Sequence, residues 1–257
     1  MKKFWGFLLV IVLMTSCGEY QSLLKSNDYN LVYKKAIEYY NKGDYQRAMN
    51  LLDGVRSVFV GQAKAQNIAY YRAFCSYNMK DYQIASDLFK QFIQTYPESS
   101  FAEECLYMMG FCDYKASPKP RLDQQVTEKA IREFQLYLSR YPYSMRKDKV
   151  NTYMDEMRDK LSYKAYLSAK NYYLREHYKA AVISLQNCLK DYPGSKYREE
   201  IMYMLFVSKY QMAVNSVEDK KVERYNNARE EYYYFADEYP NSRYAADAAS
   251  YTHLTLP

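Results

Sequence analysis

One aromatic pattern recurs along most of the chain: a pair of tyrosines seven residues apart. Seven helical steps of about 100° bring two side chains to within about 20° of the same face. The pattern therefore predicts five successive helices, each with a tyrosine stripe on one face. The pairs are Tyr33/Tyr40, Tyr70/Tyr77, Tyr107/Tyr114, Tyr166/Tyr173 and Tyr203/Tyr210, and their first members are 37, 37, 59 and 37 residues apart.

A second pattern follows each of the last four pairs: an alanine and, twelve residues later, the proline of a Tyr-Pro-x-Ser corner. Alanine lets two helices of a hairpin approach closely, and proline ends the second helix because it cannot continue one. The serine is predicted to N-cap the next helix. The alanine–proline pairs are Ala85/Pro97, Ala130/Pro142, Ala181/Pro193 and Ala228/Pro240.

These positions resemble the tetratricopeptide repeat, and the second copy, with Ala73, Ala85, Phe89 and Pro97, matches well. The first copy departs from the pattern because Phe59-Val60 replaces Tyr-Pro. The resemblance implies an all-α fold, an α-solenoid of five tetratricopeptide-like helical hairpins that stack into a superhelix.

Three irregularities interrupt the period, and insertions in repeat proteins usually form loops. Eight residues are added around Pro118 and ten over residues 214–223. A further fourteen lie in the charged stretch 145–160, which has no proline or glycine. That stretch is predicted to extend the first helix of the fourth hairpin to about 30 residues.

The pattern divides the repeats into an N-terminal set, residues 29–144, and a C-terminal set, residues 145–250. A further helix is expected from Ser242 through Ala249. Residues 252–257 are not expected to continue it. We interpret the end of the chain, residues 251–257, as an anomalous tail that reflects truncation or a non-native junction.

The first residues form a different pattern, two lysines followed by the apolar run from Phe4 to Met14, which is too short to span a membrane. This arrangement is typical of a secretory signal. Residues 13–17 resemble the bacterial lipobox, with Met14 in place of the usual leucine. We expect a signal peptide over residues 1–16, a lipid (palmitate) on Cys17 and a linker over 17–28. The alternative is an ordinary signal peptide with an incidental cysteine.

Charge and cysteine content exclude several classes of site. The net charge is +6, of which two charges leave with the signal, so a nucleic-acid surface is not expected. The remaining cysteines have no CxxC spacing, and the chain has only two histidines, so no zinc site is predicted. We expect no cofactor beyond the lipid at Cys17, and buried positions for the other four cysteines: Cys75, Cys105, Cys112 and Cys188.

Nothing in the sequence indicates catalysis. Motifs such as GxSxG, HExxH and a glycine-rich phosphate loop are absent from the sequence. His177 occupies the turn position that Asp44 and Asp81 hold in other copies, so we interpret it as a turn residue. The sequence predicts a binding protein and not an enzyme.

The tyrosine stripes are the candidate binding surface, because tyrosine offers a large area with a polar tip. In tetratricopeptide hairpins the first helix lines the concave groove. An equally open alternative is that the stripes pack one hairpin against the next. The groove candidates are Tyr33, Tyr40, Tyr70, Tyr77, Tyr107 and Tyr114.

A lipobox, five hairpins and a long helix in the fourth together resemble the BamD family, especially over residues 130–144 and 164–193. The resemblance implies a lipoprotein of the outer membrane that faces the periplasm and serves the β-barrel assembly complex. It implies that the C-terminal hairpins contact POTRA domains of the barrel-forming subunit. It also implies that the N-terminal hairpins bind segments of unfolded outer-membrane proteins.

Two other functions remain open from the sequence. An aromatic-lined lipoprotein could bind glycans as SusD-like proteins do, although those proteins are about twice the length of this chain, which counts against the idea. A tetratricopeptide scaffold for cell-wall machinery is the third possibility.

Overall fold

A computed structural model describes residues 18–253 of the chain, and this part is helical and contains no strand. The predicted signal peptide, Cys17 and residues 254–257 lie outside the described residues. α1 covers residues 18–24. The helices that follow are α2 (Tyr29–Asn41), α3 (Tyr45–Val55), α4 (Ala63–Asn78), α5 (Tyr82–Thr95), α6 (Ala102–Ala116), α7 (Gln125–Arg140), α8 (Lys147–Leu174), α9 (Tyr178–Asp191), α10 (Arg198–Val214), α11 (Glu218–Glu238) and α12 (Ala245–His253).

From α2 to α11 the helices follow one another as the five predicted hairpins, and α2 to α7 and α9 to α11 pack in sequence order, which confirms the predicted helical-repeat solenoid. The turns of the first, second and fourth hairpins each contain one left-handed residue, Gly43, Lys80 and Glu176, with φ of 80°, 67° and 60°. The residue after the left-handed one is the N-cap position of the second helix, and His177 occupies this position before α9. The interpretation of His177 as a turn residue is therefore confirmed.

The Tyr-Pro corners end the second helices as predicted, because α5, α7, α9 and α11 each stop one residue before the corner tyrosine. The predicted role of the serines is wrong. The N-cap of α6 is Phe101, and Ser99 Oγ instead accepts a hydrogen bond from the Phe101 N–H at 3.2 Å. Ser195 does the same for Tyr197. Each of these serines therefore stabilises the turn at the corner. The N-cap residue of the next helix lies two positions after the serine.

Two of the three insertions have the expected form. α8 has 28 residues, close to the predicted length, and a loop at 117–124 contains the residues added around Pro118. The third does not form a loop, because α10 runs to Val214 and α11 begins at Glu218. The tail prediction was also wrong in part, since α12 continues through His253.

The described residues divide into two compact units that fall within Met1–Pro118 plus Gln124–Met154 and Lys119–Asp123 plus Asp155–Pro257. Each unit has its own apolar core, centred on residues such as Leu51 and Phe89 in the first and Leu185 and Phe235 in the second. Burial of such side chains contributes about 1.5–3 kcal/mol each. The four cysteines after Cys17 are free and buried, as predicted.

Over residues 18–253, no helix combines the length and the apolar character needed to cross a membrane.

Candidate functional site

The first tyrosine stripe lies on α2 and packs against the helices that follow it. The Tyr33 ring centroid is 6.1 Å from that of Phe59. Tyr40 lies 4.9 Å from Tyr71 on α4, and Asn78 Nδ2 of the same helix donates to Tyr40 Oη at 3.5 Å. Burial raises the pKa of Tyr40 to about 12, so its hydroxyl stays protonated and able to donate.

The second stripe, on α4, reaches the third hairpin. The Tyr70 ring lies 4.6 Å from that of Phe101, and Tyr70 Oη donates to Glu104 Oε2 at 2.8 Å. Burial and the neighbouring carboxylate raise the pKa of Tyr70. The Tyr77 ring is 6.2 Å from that of Phe111 on α6.

The third stripe, on α6, packs on the start of α8. Tyr107 is buried, and the Arg146 guanidinium lies over its ring with Cζ 4.8 Å from the centroid. Tyr114 stacks on Tyr153 with 4.4 Å between ring centroids. In the first unit the tyrosines thus form a continuous series of aromatic contacts from α2 through α4 and α6 to the start of α8.

The second unit repeats the arrangement. Tyr166 stacks on Tyr197 with 4.4 Å between centroids, and Tyr203 stacks on Tyr244 at the same distance. Within each unit the tyrosine stripes therefore lie where consecutive hairpins meet. This is the alternative in which the stripes pack one hairpin against the next. Because most of these rings are only half-buried, their outer edges stay accessible. Partner binding by the six candidate tyrosines stays a prediction.

Hydrogen bonds to carboxylates in the first turns of α6 and α10 accompany the stacking, and the sequence analysis missed them. Tyr137 Oη donates to Glu103 Oε1 at 2.9 Å, next to the bond from Tyr70 to Glu104. In the second unit Glu200 accepts from Lys170 Nζ at 2.7 Å. The available signal was an acidic pair in the first turn of α6 and again of α10, where carboxylates also favour the helix dipole.

A buried polar cluster behind the third stripe was also missed. Lys129 Nζ lies 2.9 Å from Asp113 Oδ2 and 3.7 Å from Glu133 Oε1, and Ser86 Oγ donates to Asp113 at 3.0 Å. Burial, followed by the adjacent Asp113, raises the pKa of Glu133 to about 8. At neutral pH the Glu133 carboxyl is mostly protonated and can donate to Asp113.

The described residues contain no group of three or more His, Cys, Asp or Glu side chains arranged to hold a metal ion. In the buried cluster Lys129 offsets the charge of Asp113, and burial favours the protonated form of Glu133 because it raises the pKa of that carboxyl.

Comparison with known proteins gives one family. The model of the outer membrane lipoprotein family YfiO matches residues 25–200 and 165–254, which together include every hairpin. No curated protein matches the chain significantly. BamD belongs to the same family, which is not a known enzyme family. By the extent of this match, the chain belongs to the YfiO family of outer membrane lipoproteins.

Proposed function

We propose that this protein is a non-catalytic lipoprotein subunit of the outer-membrane β-barrel assembly complex. The observation that supports the proposal most is the YfiO family match over residues 25–254, which covers the whole helical array. The lipobox at residues 13–17 supplies independent support, because it precedes the first helix without a long linker.

The lipid on Cys17 would hold the first hairpin close to the periplasmic face of the outer membrane. α1 follows this cysteine directly and packs on the first hairpin, with the Tyr20 ring 5.9 Å from that of Tyr39. Asn50 Nδ2 donates to Tyr20 Oη at 3.0 Å. These contacts give the anchor a short, ordered connection to the repeats.

The two ends of the array would bind different partners. The C-terminal hairpins would dock POTRA domains of the barrel-forming subunit. The N-terminal hairpins would bind segments of unfolded outer-membrane proteins through the accessible edges of Tyr33, Tyr40, Tyr70, Tyr77, Tyr107 and Tyr114. Rings that are already fixed by packing lose little side-chain entropy on binding, which suits them to this task.

The test is a binding assay with the chain from Gly18 onward, which contains every described helix. The POTRA region of the same organism's barrel-forming subunit is the first ligand, and a pool of oligosaccharides is the comparison. We expect POTRA binding with a Kd on the order of 1 μM or tighter. Sugar binding without POTRA binding by the folded protein would overturn the proposal in favour of glycan capture, and binding of neither would overturn it outright.

Client binding is tested separately with a peptide from the C-terminal strand of an outer-membrane barrel protein. Tyr114→Ala should weaken binding of this peptide, because it removes part of the accessible stripe. Tyr29→Ala is the matched control, since Tyr29 is exposed but lies outside the stripes. Equal effects of the two changes would argue against the groove.

A further inference from the structure

A second candidate binding site lies within the second compact unit. It is a groove of about 810 Å³ along one face of α8. One wall is formed by Arg121 in the loop at 117–124 and another by Tyr197 before α10. The lining residues from α8 are Tyr163, Lys164, Tyr166, Leu167, Ser168, Lys170, Asn171 and Leu174.

The groove is positively charged. Its lining contains three cationic side chains, and none of its described lining residues is acidic. Lys170 is neutralised by Glu200, whose Oε1 lies 2.7 Å from Lys170 Nζ. Lys164 Nζ donates to the Leu122 carbonyl at 2.8 Å, a bond that fixes the loop on α8 without cancelling the charge. Arg121 is exposed and forms no ion pair with another described residue.

The aromatic wall of the groove is fixed by mutual stacking. Tyr197 stacks on Tyr166 and on Tyr163, with centroids 4.4 Å and 5.2 Å apart and interplanar angles of 12° and 28°. Rings stacked on each other offer their edges to a ligand, and the edge of an aromatic ring carries partial positive charge. A carboxylate fits such edges, whereas a sugar needs a free ring face.

The remaining surface of the groove is apolar. Leu174 is 66% exposed and contributes apolar surface to the groove. Leu167 lies on the same face of α8, seven residues earlier. A ligand that fits both the cationic and the apolar parts of the groove has negative charges and apolar side chains close together along one chain.

We infer that this groove binds an extended acidic segment of a partner protein. Its carboxylates would pair with Arg121 and Lys164, and its apolar side chains would cover Leu167 and Leu174. The inference does not depend on the assembly role, because it follows from the charge and shape of the groove alone.

The experiment measures fluorescence anisotropy of fluorescein-labelled peptides of about ten residues, a length that an extended-segment site binds. The peptides alternate tyrosine with glutamate, glutamine or lysine, and the protein is the chain from Gly18 onward. We expect the Glu–Tyr peptide to bind, and its affinity to fall as salt is raised. Arg121→Gln should weaken binding about fivefold, as loss of one charge pair does at a surface.

Two further variants separate the groove from general charge. Arg175→Gln makes the same charge change at an exposed position outside the groove and should leave the affinity unchanged. Leu174→Ser should weaken binding about threefold through lost apolar contact. Circular dichroism checks that each variant is folded.

Four results would overturn the inference. The first is no binding of the Glu–Tyr peptide, and the second is equal binding of the Gln–Tyr peptide. The third is an equal effect of Arg121→Gln and Arg175→Gln. Tighter binding of oligogalacturonate, an acidic glycan, than of the peptide would also overturn it, because the groove would then recognise a sugar.

Discussion

The close contact between α6 and α7 allows one substitution to be worked out in detail. A Cβ atom added to Gly110 would lie 2.8 Å from Phe134 Cδ1 and 3.0 Å from Cε1. The Phe134 side chain is fully buried. Its ring is held by those of Tyr107 and Tyr153, with centroids 6.3 Å and 5.9 Å away, so it has no space into which to move.

Two opposing effects set the size of the change in stability. Replacing glycine by alanine inside a helix stabilises by about 1 kcal/mol. Overpacking a filled core costs about 1–3 kcal/mol, and the confined Phe134 ring places Gly110→Ala near the upper end. The net result is a loss of about 2 kcal/mol, or a melting temperature lower by about 5 °C.

Urea and thermal unfolding followed by circular dichroism measure this loss. Gly54→Ala in α3 is the matched control, because no atom lies within 4 Å of the position that its Cβ would take. This variant should be as stable as the parent or slightly more stable. In a Phe134→Leu background the contact with Gly110 is relieved, so adding Gly110→Ala should no longer destabilise. Equal stability of the Gly110→Ala and Gly54→Ala variants would show that Phe134 does not resist the added methyl group.

Three further predictions concern buried polar groups. The raised pKa of Glu133, about 8 against 4.5 in the unfolded chain, means that the folded state retains a proton between these values. Stability should therefore fall as pH rises through that window, and urea unfolding of Glu133→Gln should show a smaller fall. Tyr137→Phe removes hydroxyl bonds to Glu103 and Ser144 and should lower the free energy of unfolding by about 1–2 kcal/mol, measured by urea titration against Tyr143→Phe as an exposed control. Burial raises the pKa of Cys75 to about 12, so this thiol and the other buried thiols should react with Ellman's reagent at pH 8 only after unfolding. Rapid labelling of the folded protein would contradict that picture.

The sequence predicts the hairpins well because their boundaries depend on local chemistry. Proline cannot continue a helix that precedes it, so each corner proline sets the end of a second helix. The turn before His177 has the same length as the turns at Asp44 and Asp81. The length of α8 follows from a stretch without proline or glycine. These features need no knowledge of distant residues.

What the sequence could not predict depends on contacts between hairpins. The tyrosine spacing defines a face of each helix, but the ring that Tyr114 meets, Tyr153, lies 39 residues later on a helix of unusual length. The raised pKa of Glu133 depends on burial and on Asp113, and both follow only from the packing of α6 on α7. The serine of each corner was wrongly predicted to be an N-cap, because the N-cap residue lies two positions further along the chain, as Phe101 does after Ser99.

The contacts of α10 give α12 a specific part in the array. Each tyrosine stripe is covered by the next hairpin, and for Tyr203 and Tyr210 that cover comes from Tyr244 and Tyr251. Tyr203 Oη also donates to Asp247, as Tyr70 does to its glutamate. In a linear array each repeat is stabilised by its nearest neighbours, and an uncovered end unfolds first. α12 therefore covers the tyrosine stripe of α10, as the following hairpins cover the earlier stripes, and couples its own melting to that of the fifth hairpin.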